Sequence, residues 1–374
     1  MAKSRRKIAL ALQGGGSHGA FTWGVLDRLL QDDTIEIIGV TGTSAGAMNA
    51  ICLAEGLAQG GPEEARRQLR KFWQAVGNMP GIGGLFRWVP GETLAHMRIE
   101  QTAPFMMLDA IRRNFTPDQF NPQQTNPLRD TLTQMINFDR VRTMSLIVQV
   151  CATNVRTARR RVFSNDDISV DAVMASATLP DLFPAVKIDG EEYWDGGFSG
   201  NPAMVRLIQD LPKCDLVIVR IDPIIRHEMP KTAREIQDRV TELAFNTTFW
   251  MELSALGAIL ALVEQGLLDR ERFGRIFFHA IEASDQLEKI PHSTKLNNAP
   301  AFLEYLFDLG RATAHHWLGK HDAEIGRHST VDLIKLLPVV GSGRVGTATS
   351  FIPPAHAVGE IARASAHAHH NTRH

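Results

Sequence analysis

Apolar and polar residues alternate along the first half of the chain in two rhythms. Lys7 to Leu12 is an almost unbroken apolar run and reads as a strand buried on both faces, whereas Ala20 to Leu30 spaces its apolar residues as one face of a helix. Glu36 to Val40 and Ala45 to Leu57 repeat the pair. Strand, glycine turn and helix, twice over, predict a mainly parallel central sheet covered on both faces. Further strands are predicted at Ser145 to Thr153, Ala185 to Ile188, Asp215 to Ile221 and Arg275 to Ala280.

The rhythm breaks between Met79 and Pro127, where six of the eighteen prolines fall. No long regular helix is expected there. Leu85, Phe86, Trp88, Phe105, Met106 and Met107 make the stretch partly apolar, so it reads as a lid, a pocket wall or an insertion packed on the core. From Lys231 to Leu268 a broad helical stripe returns, through Ile236, Val240, Leu243, Leu253, Leu256, Leu260 and Val263. It suits packing against the body, with a homo-oligomer interface as second choice. Another helix is expected over Ala301 to Ile325. The domains read as 7–214, then a mostly helical extension over 215–340 that could be integral to the fold, then a disordered tail over 341–374.

Composition narrows this picture. The chain has 374 residues, 44% hydrophobic and 22% charged, which excludes a wholly disordered or fibrous protein. A formal charge of −1 gives no global field toward nucleic acid, and no nucleic-acid partner is expected. Lys3 to Lys7 and Arg156 to Arg161 are local basic runs that read as solvated surface. Cys52, Cys151 and Cys214 are odd in number and far apart, which suits a reducing compartment. The apolar run after the basic start ends at Gln13, too short for a signal peptide, and Leu253 to Val263 is too short to span a bilayer. The expectation is a cytoplasmic protein, with peripheral membrane contact as the variant.

Three glycine-centred motifs carry candidate chemistry. Gly14-Gly15-Gly16-Ser17-His18-Gly19 lies between a strand and a helix and presents backbone N–H groups to an anion. The same spacing fits a dinucleotide loop, but no acid follows the second strand where a ribose would need one. Gly42-Thr43-Ser44-Ala45-Gly46 follows a strand and opens a helix, the setting that holds a serine hydroxyl exposed on a sharp turn. Its bland alternative is a glycine-rich turn with a capping serine. Asp195-Gly196-Gly197 is either a turn or a carboxylate brought to Ser44 with steric room around it.

Together and in this order, the motifs resemble those of the patatin-like acyl hydrolases. Asn126-Pro127-Leu128-Arg129, Phe138-Asp139, Ala152-Thr153-Asn154 and the block from Ala175 to Pro184 are also similar to that family. The resemblance covers roughly residues 7 to 205. It implies a three-layer α/β/α fold, Ser44 as nucleophile, Asp195 as its base, and oxyanion-hole amides from Gly14, Gly15 and Gly16. Gly19, Gly42, Gly46, Gly196 and Gly197 would support the motifs sterically. It also implies a lipid or other ester substrate, with no cofactor and no metal. Phospholipase A or lysophospholipase chemistry is the first reading. An esterase for short-chain or hydroxyalkanoate esters, or a catalytically idle scaffold, is the alternative. Members often carry arginine before the last glycine of the first motif, where this chain has His18. A base role for His18 is disfavoured, because it opens a helix whose dipole opposes an imidazolium. Asp189-Gly190 reads as a hairpin turn.

Overall fold

A computed structural model of the chain describes residues 5–123, 125–273 and 276–333. Arg275 and the tail expected over 341–374 lie outside the described residues. Among the described residues, the strands form one eight-stranded mixed sheet in the order β5-β6-β3-β2-β1-β7-β8, with β4 pairing β3 off this path. They are β1 (Arg6–Leu12), β2 (Ile35–Gly42), β3 (Ile147–Asn154), β4 (Arg160–Ser164), β5 (Val186–Ile188), β6 (Glu191–Asp195), β7 (Asp215–Val219) and β8 (Phe277–Ile281). From β3 through β2, β1 and β7 to β8 every pairing is parallel, while β4, β5 and β6 pair antiparallel. Asp189 and Gly190 both take positive φ in the tight turn from β5 to β6.

The apolar runs of the central strands follow from burial on two faces. In β1, Ile8, Leu10 and Leu12 face one core, and Ala9 and Ala11 the other; in β7, Val217 and Val219 oppose Leu216 and Ile218 in the same way. The first core is roofed by α1 (Gly19–Leu29), α2 (Ala45–Gly60), α3 (Pro62–Asn78), α5 (Val170–Ser176) and α8 (Pro300–His321). The second is covered by α6 (Met204–Asp210) and α7 (Ala233–Glu264). The result is the three-layer α/β/α architecture.

The stretch 79–127 departs from expectation, because it holds α4 (Ala103–Asn114), a regular helix of twelve residues. Pro104, Pro117 and Pro127 each lie in the first turn of a helix, where a missing N–H costs nothing. The prolines therefore start helices instead of breaking them. The basic run Arg156 to Arg161 also departs from a merely solvated face: Arg160 pairs with buried Glu252, and Arg161 with Asp189. Helix α7 is one helix of 32 residues, long and apolar enough by length and composition to cross a membrane, with 44% of that window buried in the protein. The short run Leu253 to Val263 did not reveal that.

Candidate active site

Strand β3 brings the second and third motifs together. Strand β4 occupies one of its edges, so β2 and β6 share the other, with Gly42 opposite Val150 and Asp195 opposite Ala152. Two strands that run toward each other thus end two residues apart on one template. Ser44 follows the end of β2, and Asp195 closes β6.

Ser44 sits at the start of α2 with φ 54° and ψ −121°, a conformation L-residues rarely adopt. Its N–H donates to Ser176 Oγ (2.9 Å). The turn is possible because its glycines leave no side chain in the way. A Cβ on Gly46 would lie 2.1 Å from the Leu12 carbonyl oxygen, and one on Gly42 would lie 2.3 Å from the Gly46 oxygen. Gly19 plays a related part between helices, since a Cβ there would lie 2.6 Å from that of Ala45.

Asp195 is fully buried. Its Oδ1 accepts from the Gly197 N–H (2.7 Å). Among the described residues its Oδ2 has no hydrogen-bond partner, and the Ser44 hydroxyl lies close enough to the carboxylate to lower its pKa. Burial pushes the Asp195 carboxyl up to about 7, against the Gly197 N–H, the Ser44 hydroxyl and the positive charge of Lys295, which pull it down. Gly196 and Gly197 leave room where a Cβ would strike the Cys151 carbonyl (2.1 Å) or the Phe245 ring (2.6 Å).

The first glycine loop does not present all three amides alike. The Gly14 N–H donates to buried Asn201 Oδ1 (2.7 Å), which occupies it and corrects the expectation that Gly14 offers a free donor. Among the described residues, the N–H groups of Gly15 and Gly16 have no partner, and both residues line the cavity that holds Ser44. Gly16 has φ +59°, and a Cβ there would lie 2.4 Å from the Lys295 carbonyl oxygen. The loop is anchored from behind by Gln13, whose Oε1 accepts from the N–H groups of Ile221 and Asp222 (both 2.9 Å). His18 is buried, hydrogen-bonds Thr294 Oγ1 (2.8 Å) and packs edge-on to Phe302. Burial, then Lys295 and Arg226, hold its pKa well below the ordinary 6.5, so it is neutral.

Ser44 and Asp195 open into a cavity of about 820 Å³. Its walls are largely apolar, with Met48, Trp73, Val76, Leu179, Phe183 and Phe245 among them. Arg112 and Arg113 of α4, Arg234 of α7, and Lys295 add positive charge; Asp181 and Asp238 add negative. Arg112 pairs with Asp181, and Arg234 pairs with Asp109 and Asp238. A separate concavity of about 930 Å³ is lined by charged groups that pair with each other, such as Arg140 with Glu55 and Arg142 with Asp139.

The sequence reading missed Asn201, Ser176 and Lys295 as site residues. Ser176 lies inside a block already singled out, so a signal existed. Asn201 acts 187 residues from Gly14, and nothing in the local pattern marks it.

An α/β/α sandwich with a serine on a strand-to-helix turn, facing a buried carboxylate across a sheet end, defines a recognisable class. The chain belongs to the patatin-like phospholipase family, a family of hydrolases, whose model matches residues 10–207. No curated protein matches the sequence. Among solved structures, VipD from Legionella pneumophila is similar at 17% identity and a TM-score of 0.34, covering 80% of this chain and 66% of that one. A chain of the ExoU–SpcU complex from the type III secretion system of Pseudomonas aeruginosa is similar at 12% identity and a TM-score of 0.25, covering 84% and 53%. This chain thus spans less than two thirds of the length of either.

Proposed function

We propose that the protein hydrolyses carboxylic esters of lipids, in the manner of a phospholipase A or lysophospholipase, through Ser44 and Asp195. The observation that carries this reading is the Ser44 hydroxyl beside a buried carboxylate whose pKa lies at about 7, both lining a largely apolar cavity. An ordinary aspartate is a feeble base at neutral pH; one near 7 is matched to the task. Ser44 Oγ attacks the ester carbonyl and its proton passes to Asp195. The N–H groups of Gly15 and Gly16 receive the oxyanion. Collapse breaks the C–O bond, and the leaving alcohol takes the proton from Asp195. Water, deprotonated by the same carboxylate, then releases the fatty acid and regenerates Ser44.

The cavity volume lies in the range that encloses drug-sized ligands, and its apolar walls favour an acyl chain over a small polar ester. The helices that border it, α4 and α7, also expose Met106, Met107, Ile236 and Leu243, which suits contact with a lipid surface from the cytoplasmic side.

A fluorophosphonate probe tests the reading. Ser44 should carry the adduct, and Ser44→Ala should lose it while keeping the melting temperature within a few degrees. A folded wild-type protein whose adduct lies elsewhere removes Ser44 from the chemistry. With esters graded by length, kcat/KM should rise toward long acyl chains; a maximum at acetate would point to a soluble-ester esterase instead. Co-sedimentation with vesicles then reports whether the protein works at a lipid surface.

A further inference from the structure

The loop that would receive the oxyanion carries no cation of its own, since His18 is buried and neutral. The positive charge beside it comes from Lys295, 88 residues beyond the segment that the family model matches. Residues His292–Leu296 form a short 3-10 turn laid directly against the loop. The Lys295 carbonyl lies where a Cβ on Gly16 would be, and its Cε lies 3.6 Å from the corresponding position on Gly15. The preceding residue, Thr294, is tied to His18. The ammonium is held by Asp222 Oδ1 (2.5 Å), and that carboxylate is fully buried. Asp222 is fixed in turn, because its N–H is bound by Gln13 at the root of the same loop. Lys295 therefore has its backbone under Gly16 and its stem along Gly15, and it lines the cavity that holds Ser44.

We propose that Lys295, held by Asp222, supplies the positive charge on the oxyanion side of the site and stabilises the negative charge that forms when Ser44 attacks an ester. This rests on the hydrolase reading above. In a cavity shielded from water, a fixed cation near developing charge is worth far more than on a surface. The same charge already acts on its surroundings: it helps hold the His18 and His292 imidazoles neutral and draws the Asp195 carboxyl down.

Two variants of the full chain test this. Lys295→Gln removes the charge. Asp222→Asn/Lys295→Gln removes it without stranding a buried carboxylate, and so guards against a fold lost for that reason alone. With a soluble ester, kcat should fall about 100-fold in both, with KM changed less than kcat. The acidic limb of the kcat/KM profile should move to higher pH, because Asp195 loses a charge that holds its pKa down. A folded double variant that keeps wild-type kcat overturns the proposal. So does a fall in kcat with an unmoved acidic limb, which is what a merely structural lysine would give. Absence of a Ser44 adduct in the wild type is a distinct failure, and it removes the hydrolase reading itself.

Discussion

Asp195 shows what a buried carboxylate costs the fold that holds it. Its carboxyl titrates at about 7, above the ordinary 3.8, because burial penalises the charged form. The folded state therefore binds this proton more tightly than the unfolded chain does. Its contribution to stability is complete below the ordinary value and disappears as pH rises through about 7. Activity runs the other way, since only the ionised carboxylate accepts a proton. Asp195→Asn should accordingly abolish fluorophosphonate labelling and raise the melting temperature at pH 8 by several degrees, a gain that vanishes near pH 4. Thermal melts at the two pH values check this; equal effects at both would mean that Asp195 is not a charge stored at a cost. Wild-type kcat/KM should climb with pH through an apparent pKa near 7. The neighbours that set it are Lys295 and the Ser44 and Gly197 donors, while the nearby Cys151 thiol is pushed up to about 12 and stays neutral.

Elements were legible where their environment is uniform. The runs in β1 and β7 read as strands because both faces are buried, and α8 reads as a helix because its stripe is regular. Helix α3 escaped notice although it opens on Pro62 and has a strongly amphipathic stripe through Leu69, Phe72 and Trp73. The antiparallel strand β4 was hidden in a basic run whose charges are neutralised from distant elements. Helix α7 best shows why pattern alone falls short. Its apolar length suits a membrane, yet it carries Glu252 midway, 5% exposed, which accepts from Arg160 and from the Val205 N–H (2.8 Å) at the start of α6. Here Phe249, Leu253 and Leu256 seat the helix on the second core and Glu252 sets its register. Glu252→Ala leaves both donors without this acceptor and should destabilise the protein by about 2–4 kcal/mol. Urea unfolding measures it; a loss below about 0.5 kcal/mol would reduce the pair to a surface ornament.

The whole molecule is closed by residues beyond the family match. Strand β7 covers the edge of β1 over Ile8 to Leu12, β8 pairs β7, and Gln13 fixes the glycine loop to the chain leaving β7. Helix α8 is locked onto α1 by two glycines: a Cβ on Gly24 would lie 2.0 Å from the Phe307 oxygen, and one on Gly310 would lie 1.9 Å from the Phe21 oxygen. The segment after residue 207 thus supplies a sheet edge, a core helix and the support under Gly16, three things that a detachable module would not provide. A fragment ending at Cys214 would expose the backbone edge of β1, strip α8 from the first core and lose most of the second. It should show no cooperative melt, and Ser44 in it should take no fluorophosphonate. The intact chain gives the complementary test at Pro223 to Pro230, which joins β7 to α7. Protease nicking there should leave two pieces that elute as one species and still label Ser44. Separation into a stable, labelled N-terminal fragment would show instead that the hydrolase core folds alone, and Lys295 would then have no part in the chemistry.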